Sequence, residues 1–370
     1  MVYNYIILKK AKNISKNNPK LTMKEIIKLT TELIKFETTQ KKPEELKKCV
    51  DFIAKQLPKN LHITKGINKG KPYIIATVKK TKTPKLLLTG HLDVVEAEPE
   101  QFKPKIKKGK IYGRGSIDMK AGVAIITQLI KEEKEKDIGI MLTTDEEIGG
   151  EHGIGYLSKK WKPKAVIATE PSKQEITIKE KGVLHLKIKA KGKSAHGSRP
   201  WLGDNAIDKL IQKYQEIKKM FPKPNKNKWQ ITINLGFMKG GEAFNKIPDK
   251  AELGLDIRYT EKDDVNKLIK KIKRIKDIQV EIIEKQPMLN TDEKNPYMQK
   301  LKQAGQKIAK KEMKFKKETG ASDIRYFAKK GIPSADFGPI GKNYHGKNEW
   351  ASIKSMEKIY KILKEFIKTL

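Results

Sequence analysis

Five stretches of this chain combine histidine and acid in ways that could do chemistry: His91-Leu92-Asp93, the turn around Asp118, Asp145-Glu146-Glu147, Glu170-Pro171-Ser172 and a late His345. Together they supply two imidazoles and several carboxylates, the donors that a pair of divalent cations needs. His91 and Asp93 point to one face if the chain stays extended, so the imidazole can bind a cation while the carboxylate orients it. Asp118 follows Gly113-Arg114-Gly115-Ser116-Ile117 and precedes a helical pattern. An aspartate there is commonly a helix cap, so on its own it carries no weight. Three adjacent acids repel one another unless a cation or solvent relieves them. Asp145-Glu146-Glu147 ends an apolar run, which disfavours a plain solvated turn. Glu170 likewise follows Val166-Ile167-Ala168. Spacing does not distinguish Glu146 from Glu147 as a ligand.

The elements that must position these groups are legible as periodic patterns. Helical spacing covers 22–37, 43–57 and 120–135. Apolar runs at 73–78, 85–89, 138–143 and 165–168 read as strands. Strands alternating with helices imply an α/β layer with a largely parallel buried sheet, whose ligands gather at the carboxyl ends of strands. Near residue 176 the texture changes. An alternating strand (176–188), a helix (204–219), two strands (229–237, 251–259), a helix (262–275) and a strand (278–283) give β-α-β-β-α-β, a ferredoxin-like insert. A helix at 296–311, strand–turn segments to 350 and a final helix at 354–369 return to the first texture. The expected organisation is an N-terminal tail (1–20), a first catalytic part (21–175), the insert (176–287) and a second catalytic part (288–370).

Composition narrows the function classes. A net charge of +37 suggests nucleic acid at first sight. The cations, however, are spread along the whole chain, and only five of 81 are arginine: Arg114, Arg199, Arg258, Arg274 and Arg325. Readers of bases and phosphates favour the planar guanidinium fork, so this charge reads as lysine-covered solvated faces. Where lysine is the default, a retained arginine points to a need for the fork. Arg114 falls beside a motif above, and Arg199, Arg258 and Arg325 beside those that follow. The single cysteine, Cys49, lies in a helical pattern as a small hydrophobe, and it excludes an intrachain disulfide. The short apolar start followed by lysines has the wrong order for a signal peptide, and no run has membrane-spanning length. A cytoplasmic protein with no membrane partner is expected.

Taken in order, Gly-His-Leu-Asp-Val-Val, Gly-Arg-Gly-Ser-x-Asp-Met-Lys-Ala-Gly, Thr-x-Asp-Glu-Glu-x-Gly, Thr-Glu-Pro-Ser and Ala-His-Gly-Ser-Arg-Pro resemble the two-zinc metallopeptidase family that includes succinyl-diaminopimelate desuccinylase, acetylornithine deacetylase, aminoacylase and glutamate carboxypeptidase. The resemblance runs from about residue 22 to the end. It implies a zinc-peptidase-like mixed sheet flanked by helices, with the insert as a dimerisation or lid domain. It implies two zinc ions per subunit, with cobalt able to substitute. His91 and Glu170 would hold one, Glu147 and His345 the other, and Asp118 would bridge them, followed by a cis peptide. Asp93 would orient His91, and Glu146 would be the general base. His196 would steady the oxyanion in a partner subunit's site, which implies a homodimer. Arg258, Asn245, Gly320 and Ser322 match positions that grip a substrate carboxylate in relatives, and Arg199 would order the His196 loop or contact substrate.

The expected activity is therefore hydrolysis of the amide of a small N-acyl amino acid or peptide bearing a free carboxylate. A dipeptidase or carboxypeptidase of the same family is the alternative. From other classes, a metal-free binding module would lack a ligand or the base, and all are present. A nucleic-acid-binding protein would show clustered arginine and aromatic residues, and neither is found. Two departures bear on the acyl group. Glu180-Lys181 stands where desuccinylases carry an Arg-Arg pair, and Thr319-Gly320-Ala321-Ser322-Asp323 where they carry Gly-Gly-Thr-Ser-Asp. His62 and His185 read as structural or surface residues, and His152 as a neighbour of the acidic cluster.

Overall fold

Runs of leucine, isoleucine and valine without polar alternation must be covered on both faces. In the computed structural model, which describes residues 19–370, the chain begins with helices α1 (Pro19–Ile34) and α2 (Pro43–Gln56). Strands β1 (His62–Asn68), β2 (Lys71–Thr77), β3 (Leu86–His91), β4 (Lys105–Lys107) and β5 (Lys110–Tyr112) precede helix α3 (Ala121–Glu132). Next come β6 (Ile138–Thr143), β7 (Val166–Ala168) and β8 (Ile176–Glu180). They are followed by β9 (Gly182–Lys191), α4 (Ala206–Lys218), β10 (Thr232–Gly240), β11 (Lys250–Tyr259), α5 (Val265–Lys273) and β12 (Ile278–Gln286). The chain ends through β13 (Leu289–Asn290), α6 (Pro296–Ala309), β14 (Phe315–Glu318), β15 (Ser334–Asp336), β16 (Gly341–Lys342), β17 (Trp350–Ser352) and α7 (Ile353–Lys368). The expected N-terminal tail lies almost wholly outside the described residues.

The chain divides into two units. The first comprises the described residues up to Lys179, with Thr291–Lys317 and Ser322–Leu370. Its central sheet runs β1-β2-β6-β3-β7-β15-β8. Strands β6, β3, β7 and β15 are mutually parallel, and β1, β2 and β8 join antiparallel, so the sheet is mixed. The parallel strands are buried along their whole length. Helix α3 is apolar almost all round and packs between the sheet and helices α1 and α7. Cys49 is buried in α2, as its helical setting predicts. A small second sheet, β16-β17-β5-β4, was not legible in the sequence because its strands have two or three residues each. Its pairing of Trp350 with Tyr112 and Ala351 with Ile111 brings residues 343–349 onto the loop 113–118.

The second unit comprises Glu180–Asn290 and Glu318–Ala321. Its antiparallel sheet has the order β10-β11-β9-β12, with β9-α4-β10-β11-α5-β12 along the chain, which is the ferredoxin-like arrangement. Leu184, Leu186, Leu253, Leu255 and Ile257 form its core with Leu210 and Ile217 of α4 and Ile269 and Ile272 of α5.

One expected strand is two. The alternation at 176–188 is divided at Lys181 between β8 in the central sheet and β9 in the ferredoxin-like sheet. Period-2 alternation is the same in both sheets, so it hides the crossing. Gly182 marks the place: a Cβ there would lie 2.2 Å from the Tyr259 ring. Among the described residues no helix is long and apolar enough to cross a membrane.

Glycine is also needed where α3 meets the end of β7. A Cβ on Gly122 would lie 2.4 Å from Thr169 Oγ1 and 2.5 Å from its carbonyl oxygen, one residue before Glu170. Helix propensity favours alanine over glycine by ~1 kcal/mol, but overpacking a tight contact costs ~1–3 kcal/mol. Gly122→Ala is expected to lower the urea midpoint of unfolding. A raised midpoint would show that the helix can shift away.

Candidate active site

Parallel strands present their carboxyl ends along one edge, so whatever follows β3, β6 and β7 converges there. His91 closes β3. The Leu92 N–H donates to Thr143 O (2.8 Å) and Thr38 Oγ1 to Leu92 O (2.6 Å), so the chain beyond β3 stays extended. His91 Nδ1 donates to the Asp93 main-chain oxygen at 2.9 Å and lies 3.5 Å from the Asp93 carboxylate. In the neutral ring this leaves the lone pair on Nε2, the atom that would meet a cation. Nε2 faces Asp118 Oδ1 at 3.2 Å and Glu170 Oε1 at 3.7 Å. His345 Nε2 faces Asp118 Oδ2 at 3.2 Å and Glu147 Oε2 at 3.1 Å. Two donor sets result, His91–Asp118–Glu170 and Asp118–Glu147–His345, each with its donor atoms within 4.8 Å of one another. Each Asp118 oxygen faces one imidazole. The peptide after it, Asp118–Met119, is cis, as the resemblance implied.

The three adjacent acids point to different places. Asp145 turns into the fold, where Oδ2 accepts from the main-chain N–H of His152 (2.8 Å) and Gly153 (2.9 Å). Glu147 meets His345. Glu146 belongs to neither donor set. Gly149 (φ +103°) and Gly150 (φ +65°) close the turn, and a Cβ on Gly150 would collide with Asp323 Oδ1 at 1.8 Å.

Burial makes this cluster electrostatically tense. Desolvation, then the nearby Asp323 carboxylate, push the proton affinity of Glu146 well above the carboxylate range. Desolvation also raises Glu170, with Asp118 adding repulsion and His91 opposing it. Burial opposes a proton on His91, but Glu170, Asp118 and Asp93 outweigh it and hold the imidazole well above its ordinary value. Hydrogen bonds to Asp118 and Glu147 raise His345 from 6.5 to about 10. Desolvation carries Asp323 up to about 7. Without cations, protons bound by the imidazoles hold the carboxylates together. Mixed imidazole and carboxylate donors of this kind suit zinc and similar divalent ions, so the residues fit such a pair.

The remaining expected site residues lie in the second unit or at its boundary. His196 is exposed, and its Nδ1 is 2.8 Å from Ser198 Oγ. Arg199 is exposed and precedes a single helical turn at Pro200–Leu202. Asn245 is exposed, with its main-chain oxygen accepting from Gly197 N–H at 2.7 Å. Arg258 is half-buried, and its Nε donates to Asp256 at 2.8 Å. Gly320 is exposed, and no atom outside its chain neighbours lies within 4 Å of a Cβ built there. Ser322, in the first unit, is buried, and its hydroxyl donates to Asp336 at 3.0 Å. His185 lies between Glu284 (2.8 Å) and Asp256 (3.4 Å) on the ferredoxin-like sheet, and His62 opens β1.

Several supporting residues escaped the sequence reading. Gln40 Nε2 donates to Asp93 (3.0 Å) and to Thr144 O (2.9 Å), tying the ends of β3 and β6 together. The Asp93 carboxylate accepts from the N–H groups of Glu146 (3.3 Å) and Glu147 (3.1 Å). Arg325 Nη2 and Tyr326 Oη both donate to Gly149 O at 2.8 Å, holding the far end of the Glu146–Glu147 turn. Arginine scarcity had flagged Arg114 and Arg325, and both are buried. Gln40 is not ionisable and Glu349 sits among polar residues, so neither carried a signal.

The family model for peptidase family M20/M25/M40 matches residues 87–369. Succinyl-diaminopimelate desuccinylase of Sulfurovum sp. (strain NBC37-1) is 29% identical over 343 residues, covering 86% of this chain and 89% of its own. Among solved structures, a tripeptidase from Staphylococcus aureus subsp. aureus Mu50 superposes with a TM-score of 0.77 at 21% identity, over 94% of this chain and 98% of its own. The Bacillus subtilis YXEP protein, described as a dinuclear metal binding peptidase from the M20 family, gives 0.70 at 15% identity, over 95% and 99%.

The proton affinities give a pH dependence. His345 has a folded value of about 10 against 6.5 ordinarily. Such a raised group stabilises the fold fully below 6.5, and that contribution is lost as pH rises through about 10. The melting temperature of chelator-treated protein is therefore expected to fall across this window. Adding a divalent cation should flatten the fall, because the ion replaces the protons. Calorimetric titration in two buffers of different ionisation enthalpy should then show proton release on binding. A pH slope that metal leaves unaltered, with no proton release, would contradict the arrangement.

Proposed function

From the premise that the chain belongs to peptidase family M20/M25/M40, we propose that it is a two-zinc amidohydrolase cleaving the amide of a small N-acyl amino acid or peptide with a free carboxylate. What supports this reading is a pair of donor sets sharing Asp118, with a further half-buried carboxylate, Glu146, in neither. His91, Asp118 and Glu170 would hold one zinc, and Asp118, Glu147 and His345 the other, with cobalt able to substitute. When bound, the cations supply the positive charge that acidifies water and polarises the scissile carbonyl. Asp93 orients His91 and holds the turn that carries Glu146. The Glu146 carboxylate takes the proton of the attacking water and returns it to the departing amine nitrogen.

The substrate is an amide flanked by an anionic group. Arg258 provides a bidentate partner for a carboxylate, with Asn245, Arg199, Gly320 and Ser322 completing the contacts. The naming of the Sulfurovum relative favours an acyl amino acid related to its succinylated substrate. The alternative, a dipeptidase or carboxypeptidase, is favoured by Glu180-Lys181 and Ala321 where desuccinylases carry Arg-Arg and threonine. We place the activity in cytoplasmic amino-acid metabolism. The working form is a homodimer in which His196 of the partner subunit steadies the oxyanion.

A hydrolysis screen of N-succinyl, N-acetyl and dipeptide substrates with zinc or cobalt identifies the acyl group, and no hydrolysis of any class would refute the proposal. Glu146→Gln is expected to lower kcat by ~10²–10⁴-fold, the usual worth of a general base, with metal content by elemental analysis unchanged. Full activity in that variant would reassign the base. For the dimer, Glu146→Ala and His196→Ala proteins should each be inactive, and mixing them should restore hydrolysis. A monomer by light scattering, or no restoration once mixed dimers form, would remove His196 from that role.

A further inference from the structure

A carboxylate buried beside other carboxylates needs its own compensation. Glu349, four residues beyond His345, is 1% exposed. Its Oε1 accepts from the main-chain N–H of Ile117 (3.0 Å) and Asp118 (3.2 Å). Its Oε2 accepts from the N–H of Gly115 (2.9 Å) and from Arg114 Nη1 (2.9 Å). Its main-chain oxygen accepts from Gly113 N–H at 3.1 Å. The loop 113–118 is thus hung on one residue. Gly115 (φ +76°) admits the close turn, where a Cβ would lie 2.7 Å from Val94. Arg114 N–H in turn donates to Gln101 O (2.7 Å), and Gln101 Nε2 donates to Gly346 O (3.1 Å), one residue after His345.

We infer that Glu349, charge-compensated by Arg114, is the positioning residue that sets Asp118 and thereby couples the two cation sites; this rests on the two-cation reading above. Asp118 is the only side chain common to both donor sets. If its main chain drifts, both sets lose a donor together. Loss of Glu170 takes a donor from the His91 set alone. The same contacts tie the Asp118 loop to the arm that carries His345, so the clamp also fixes the distance between Asp118 and His345. A lysine at position 114 would keep the charge but replace the Nη1 contact with Glu349 by a flexible, more strongly hydrated ammonium, which burial at this position penalises.

The test is titration of chelator-treated full-length protein with Co²⁺, followed by calorimetry and by the visible absorption of bound cobalt. Glu349→Gln keeps the side chain's size but turns an amide NH₂ towards N–H donors. It is expected to weaken both binding steps by ~10–100-fold, the range seen when residues supporting metal ligands are lost, and to change the cobalt spectrum. Arg114→Lys should shift both steps in the same direction, whereas Glu170→Gln should weaken one. Glu132→Gln, a part-buried carboxylate remote from these contacts and bonded to Gln128, Tyr360 and Lys364, is the control: it should lower the melting temperature and leave affinities and spectrum unchanged. Unchanged affinities in Glu349→Gln would overturn the inference. Should that variant not fold, unchanged affinities in Arg114→Lys would overturn it equally. Wild-type protein that binds no cobalt would instead refute the two-cation reading itself.

Discussion

Repulsion among acids crowded into a largely buried cluster is the constraint around which the first unit is built. Asp93, Asp118, Glu146, Glu147 and Glu170 gather about two imidazoles, with Asp93 and His91 buried and the other acids partly buried, so solvent screens them only in part. Such a cluster stays folded only if each carboxylate has a cation, a proton or main-chain N–H groups beside it. The structure uses all three. Asp93 takes the N–H groups of Glu146 and Glu147, Asp145 takes those of His152 and Gly153, and Glu349 takes those of the Asp118 loop. The imidazoles and the raised proton affinities of Glu146 and Glu170 carry the rest until divalent ions replace the protons.

The fold supplies the rigidity this requires. Three parallel strands, buried end to end, deliver His91, the Glu146–Glu147 turn and Glu170 to one edge. Two buried arginines then fasten the irregular segments: Arg114 through Glu349, and Arg325 through Gly149. Guanidinium suits these positions because it forms directed bonds and tolerates burial better than an ammonium. Lysine covers the remaining surface, where a solvated point charge suffices.

Legibility followed physical type. The donors announced themselves because acids and histidines at the ends of apolar strands contradict the pattern around them. Arginine scarcity marked Arg114 and Arg325 without revealing what they hold. Glu349 and Gln40 were invisible: each acts on groups that come near only when distant segments pair, 235 residues apart for Glu349 and Arg114. The division of one alternating run into β8 and β9 was hidden for the same reason, since alternation reports a covered face but not which sheet covers it.

By itself the sequence determined the α/β texture, the ferredoxin-like order of the insert, and the set of groups able to bind cations. These depend on local periodicity and on residue type, both of which are written along the chain. Residue spacing left open which of three consecutive acids faces His345, which turns inward and which joins neither donor set, and the tertiary structure shows those directions. Neighbours in a tight turn have the same chemistry but project in different directions. Those directions are fixed by Gly149, Gly150 and the bonds from Asp93 and Arg325.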